Sequence, residues 1–155
     1  MRLRVAVAAL LIAAPAAGSA QVAVAQVTIT GQVQQATSYS AEQLASMPAV
    51  EVQGAREGGA TSTYAGPVLW PLVEAAKPID GPDRGAHLQH VLLARGADGY
   101  AVALALGEID PGFEGKHIII ATKQDGAPLP APRLVVPGDH RAGRNVRELV
   151  AIEVR

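Results

Sequence analysis

Asp125-Gly126-Ala127-Pro128-Leu129-Pro130-Ala131-Pro132-Arg133-Leu134-Val135-Val136-Pro137-Gly138 decides the fold, together with Gly143-Arg144-Asn145-Val146-Arg147-Glu148-Leu149 four residues later. Asp-Gly supplies the positive backbone angles of a tight hairpin turn. Arg133 to Val136 reads as a strand that Pro137-Gly138 stops, and Val150, Ile152 and Val154 alternate as the last strand. Just upstream, His117 to Thr122 reads as a buried strand, because Ile118-Ile119-Ile120 is too β-branched for a short helix. Leu88 to Arg95, the turn Gly96-Ala97-Asp98-Gly99 and Tyr100 to Leu106 give a hairpin, with Tyr100 as the first buried position after its corner.

Toward the N-terminus, Val27, Ile29, Gly31 and Val33 alternate with polar residues as a first, half-buried strand. Ser40 with Gln43 is a capping box that opens a short helix, with Leu44 and Met47 inward and Pro48 at its end. Val50 and Val52 start a second strand, and the glycine-rich stretch Gly54 to Ser62 is expected to be a loop. Pro71 fits only the first turn of a helix, which places one over about Trp70 to Ala76 with Leu69, Leu72, Val73 and Ala76 buried. A loop from Lys77 to Gly85 follows. No internal repeat or linker is present. The sequence predicts one α+β domain, a β-rich mixed sheet with two or three short helices.

Residues 1–25 have the layout of a secretory signal peptide: Arg2 and Arg4, an apolar run from Val5 to Ala14, then small residues. Pro15, Gly18, Ser19 and Gln21 interrupt the run well short of the roughly 20 apolar residues of a membrane span. Cleavage is expected after Ala20 or Ala25. Arg2-Leu3-Arg4 is no twin-arginine pair, so export as an unfolded chain to the periplasm or the medium is expected. The mature domain is then 26–155. It keeps 11 of the 13 Lys and Arg against all 14 acids, a net charge of −3. That balance, with only five aromatic residues, excludes a nucleic-acid footprint. The chain has no cysteine, so thiolate nucleophiles, iron–sulfur clusters and thiolate–metal bonds are excluded.

The order of these blocks resembles the molybdopterin-binding domain of the sulfite oxidase family, in its compact single-domain form. The resemblance rests on Tyr64-x-Gly66-x-x-Leu69-x-x-Leu72-Val73-x-x-Ala76, Asp98-Gly99-Tyr100, Glu108-Ile109 and the two closing stretches quoted first, leading into Ile152-Glu153-Val154. It implies an α+β fold with a pterin cleft, where molybdenum is held by the cofactor's dithiolene and one protein cysteine. The segment expected to carry that cysteine, Val50 to Tyr64, has none. Its hydroxyls, Thr61, Ser62 and Thr63, are far poorer ligands for this metal. Glu148 stands where the family has tryptophan, and Ala131-Pro132 where it has His-Gly before Arg133. The agreement falls on the scaffold and the departures on the metal site.

Arg133, His140, Arg141, Arg144 and Arg147 form the densest basic region, five of fifteen residues. The resemblance implies pterin-phosphate contacts at Arg144 and Arg147, and guanidinium forks suit phosphate or carboxylate. The competing reading pairs Arg133 and Arg147 with Glu148, Glu153 or Asp139. His87 and His90, read as preceding a strand, are expected to point to opposite faces and to hold no metal. Trp70 and Tyr64 either line the mouth of a cleft or pack against the first helix. The sequence leads to an exported, non-catalytic binding module for a small anion, a pterin-like ligand or a partner protein, with no cofactor. The alternative is a molybdopterin-dependent oxidoreductase with a non-cysteine ligand.

Overall fold

A computed structural model describes residues 26–155; the expected signal peptide lies outside the described residues. The described residues form two sheets and three short helices. Strands β1 (Gln26–Gly31), β2 (Thr37–Ser40), β5 (Val91–Gly96), β6 (Ala101–Ala105) and β9 (Leu149–Val154) make a five-stranded sheet in the order β2-β1-β9-β5-β6. Strands β3 (Val50–Ala55), β4 (Thr61–Gly66), β7 (Ile119–Gln124) and β8 (Ala127–Val135) make a four-stranded one in sequence order. The first sheet is mixed, since β9 runs parallel to β1 and antiparallel to β5. The expected α+β class is the one found.

Local chemistry accounts for most elements. Helix α1 (Ala41–Ser46) opens on the capping box: Ser40 Oγ accepts from the Gln43 N–H at 3.1 Å, and Gln43 Oε1 accepts from the Ser40 N–H at 2.8 Å. Helix α2 (Leu69–Ala76) carries Pro71 in its first turn and buries Leu69, Leu72, Val73 and Ala76. Asp125 (φ 50°) and Gly126 (φ 80°) close the β7–β8 hairpin with both central residues left-handed. Strand β8 is an edge strand, and there the missing N–H groups of Pro128, Pro130 and Pro132 cost the sheet little.

The apolar run at β7 joins two cores. Ile118 and Ile120 pack with Val27, Ile29, Leu69 and Ile152 in the large core, whereas Ile119 and Ala121 pack with Tyr64 and Val135 in a smaller one. Burial on both faces is what a run without polar alternation requires.

Several expectations need correction. Gly54 to Ser62 is not one loop: β3 runs to Ala55, a tight turn spans Glu57–Gly59, and β4 begins at Thr61. Thr37–Ser40 is a strand that the sequence did not announce. The first strand stops at Gly31, and Leu88 lies in a 3-10 turn (Ala86–Gln89) before β5. Leu106 starts helix α3 (Leu106–Ile109) instead of ending β6. Tyr100 is 50% exposed, because its ring leaves the hairpin and its hydroxyl donates to the Gly143 carbonyl at 2.7 Å.

Candidate functional site

A cleft of about 860 Å³ opens at one end of the four-stranded sheet. The β3–β4 turn forms one wall, the segment His140 to Arg147 the other, and the corner between β5 and β6 the rim. Tyr64 on β4, Gln124 at the end of β7 and Arg133 on β8 line it as well. Tyr64 is buried because Gly54, opposite Ser62 on the neighbouring strand, leaves room for its ring; a Cβ at Gly54 would stand 2.9 Å from two ring carbons.

Four arginines (Arg56, Arg133, Arg141, Arg147) and His140 line this space with two acids, Glu57 and Asp98. Asp98 is occupied with its own turn, accepting the Tyr100 N–H at 2.9 Å. Glu57 reaches Arg147 at 3.5 Å across the mouth, both side chains being exposed, so the pair is weak. Arg133 is half-buried and has only neutral partners: it donates to Tyr64 Oη at 3.2 Å and Gln124 Oε1 at 3.3 Å, its guanidinium carbon 5.7 Å from the Tyr64 ring centroid. Among the described residues no acid lies within ion-pair distance of Arg56, Arg133 or Arg141. A half-buried cation without a counter-charge favours any anion that can reach it.

The sequence-predicted residues divide. Arg133, His140, Arg141 and Arg147 come together in the cleft; Arg144 does not line it. Arg144 instead forks onto Asp139 (Nε to Oδ2 2.8 Å, Nη2 to Oδ1 2.6 Å) and donates to Glu108 Oε2 on α3 at 3.0 Å. The Arg144 hydrogen bonds hold the Asp139 carboxyl below its ordinary value, and the two acids raise the guanidinium further. Arg144 therefore anchors the wall that Arg141 and Gly143 present. The acid pairing expected for Arg133 does not occur, and that of Arg147 goes to Glu57, outside the three acids considered.

Asn145 is a second anchor. Its Oδ1 accepts the Val136 N–H at 2.8 Å, and its Nδ2 donates to the Ala55 carbonyl at 2.9 Å, tying β8 to the end of β3. Sequence reasoning passed over Arg56, Gln124 and Asn145. Trp70 packs half-buried against the large core, so of the two aromatics only Tyr64 reaches the cleft.

The residues present do not fit a thiolate-bound molybdenum. From the segment Val50 to Tyr64 only Glu57 and Tyr64 bring side-chain oxygens to the cleft, and Ser62 is buried outside it with its hydroxyl accepting from Gln124 at 3.3 Å. Neither a carboxylate nor a phenol replaces a soft thiolate ligand.

No family model and no curated protein matches the chain. Among solved structures it is similar to the crystal structure of the sulfane dehydrogenase SoxCD from Paracoccus pantotrophus, with a TM-score of 0.65 at 18% identity. The match covers 83% of this chain but only 37% of that one, little over a third of its length. What the two chains share is the fold.

Proposed function

We propose that the protein is an exported, non-catalytic module that binds a small anion, bearing phosphate- or carboxylate-type oxygens, in the Arg133 cleft. The observation that carries this reading is the Arg133 guanidinium, half-buried among neutral partners and flanked by three more guanidiniums. The cleft volume falls within the range of small-molecule sites, so a ligand larger than a bare oxyanion fits. The lack of a cysteine thiolate in the chain supports binding without metal-centred redox chemistry. Among the described residues no helix is long and apolar enough to cross a membrane.

The test is a titration of the purified protein with inorganic phosphate and pyrophosphate, followed by calorimetry and by backbone NMR at low salt. Saturable binding is expected, with shifts at Arg133, Arg141 and Arg147, weakened about tenfold or more in Arg133→Met, the loss of one charge-assisted contact. No saturable binding at millimolar anion would overturn the reading. Protein made in cells that synthesise molybdopterin should carry no stoichiometric molybdenum and no pterin absorbance. Metal at one equivalent would establish the oxidoreductase alternative, which the shared fold with a dehydrogenase favours.

A further inference from the structure

Near the end of α3, four titratable side chains meet that the cleft does not use. The expectation that His87 and His90 point apart fails because His87 sits on the 3-10 turn Ala86–Gln89, opened by Gly85 at φ 81°, and His90 immediately follows its end, so that one turn of three residues brings the two rings to the same side. Asp80 Oδ1 lies 3.1 Å from His87 Nδ1 and 3.0 Å from His90 Nε2. On its other side, His87 Nε2 lies 2.8 Å from Asp110 Oδ2, just past the end of α3. Asp110 is itself held by accepting the Gly112 N–H at 2.6 Å through Oδ1. His90, 5% exposed, stands between Asp80 and the Arg155 carbonyl, 3.3 Å from Nδ1.

We propose that Asp80, His87, His90 and Asp110 form a proton-operated clasp that pins the connection between α2 and β5 to the end of α3, closed while His87 is charged and loosened when it is neutral. A neutral imidazole has one N–H and one lone pair. Set between two carboxylates, neutral His87 donates to one and turns its lone pair on the other, whereas the imidazolium satisfies both.

The surroundings favour the charged form. From the loop comes Asp80, from just past α3 Asp110, from just past the 3-10 turn His90, and from α2 the Trp70 ring, 6.3 Å away between centroids and nearly perpendicular. The end of β9 brings the Arg155 carbonyl, while the Arg155 guanidinium turns back to Glu153; Asp83 shares the shallow depression beside His90. Partial desolvation works against the charge on His87, but the hydrogen bonds it donates to Asp110 and Asp80 outweigh it and raise its titration above the ordinary 6.5. Desolvation likewise acts on Asp80 and is outweighed by both histidines, which lowers it below 3.8. For a raised histidine the stabilisation is complete below 6.5 and is lost as pH climbs through the folded value. For a lowered aspartate it is present above 3.8 and lost as pH falls through its folded value. The clasp is thus closed in mildly acidic solution and opens toward alkaline pH. Among the described residues no three ligating side chains are placed to hold a metal ion, so hydrogen bonding is what joins the cluster.

Two measurements test this. In the wild-type protein, NMR titration of the imidazole protons should place His87 above pH 6.5. Trypsin cleavage after Arg84, inside the clasped segment, should be at least about fivefold slower in wild type than in Asp110→Asn or His87→Gln at pH 6. That ratio should fall to near one at pH 8.5, each rate being normalised to trypsin's rate on a small ester. A His87 midpoint at or below 6.5, a ratio independent of pH, or stoichiometric Zn²⁺ binding that perturbs both histidines would overturn the clasp. The NMR titration needs no variant, so the idea stays testable even if a substitution unfolds the chain.

Discussion

Replacing Arg144 by methionine should damage the fold and leave anion binding nearly intact, the reverse of replacing Arg133. Arg144 makes three charge-assisted bonds to Asp139 and Glu108, and its side chain is 34% exposed against 20% and 22% for the acids. Breaking a fully buried pair from one side costs about 3–5 kcal/mol, whereas an exposed pair is worth about 0–1. With a third of the guanidinium in water, and Lys116 left 3.7 Å from Glu108 to share its charge, the cost falls between these limits, about 2 kcal/mol. At a urea slope of about 1.5 kcal/mol/M that lowers the midpoint by roughly 1.3 M. Arg133→Met strands no acid and removes only two long bonds to neutral groups, so it should cost about 1 kcal/mol or less. The two variants are compared by urea unfolding at pH 7 and by phosphate titration at low salt. The Asp139 carboxyl is depressed below 3.8, so its share of the Arg144 stabilisation is present above that pH and disappears as pH falls through the folded value. If Arg144→Met loses less than about 0.5 kcal/mol at unchanged slope, or weakens phosphate as much as Arg133→Met does, the division between anchor and ligand-facing arginines is wrong.

Two further substitutions probe the frame. Gly66→Ala should cost more than about 3 kcal/mol or leave no folded protein, because its Cβ would overlap the Ile120 carbonyl oxygen with only backbone to yield; Gly58→Ala, in open space at φ 81°, should cost about 1 kcal/mol by the same unfolding assay. Asn145→Ala should cost about 2 kcal/mol by stranding the N–H of fully buried Val136, with faster amide exchange at Val136 as the local readout.

The parts legible in the sequence were those with local causes. Ser40 with Gln43, Pro71 and Asp125-Gly126 each specify backbone geometry within four residues, and all three stand where expected. Strands β2 and β4 were hidden because their side chains carry little pattern. Thr37-Ser38-Tyr39-Ser40 is held by pairing with β1, and in β4 only Tyr64 among the inward Ser62, Tyr64 and Gly66 is large. The basic cluster was visible as composition, but its division was not. Arg144 is drawn off by Glu108, 36 positions away, and Arg56 joins from a hairpin 77 positions before Arg133. The histidine pair was misread because a 3-10 turn opened by Gly85 occupies Ala86–Gln89, where the strand was expected to begin at Leu88.

The position of β9 bears on how the chain assembles. β9 follows every other described strand in the chain, yet Thr28 to Gly31 pair with Ala151 to Val154 and Leu92 to Arg95 with Val154 to Ala151, so it is wedged into the middle of its sheet. Until it arrives, β1 and β5 have no common neighbour, and a nascent chain stopped short of Leu149 presents two open strand edges. Only the β3-β4-β7-β8 sheet can be completed before β9 has been made. The five-stranded sheet therefore closes only when β9 is in place.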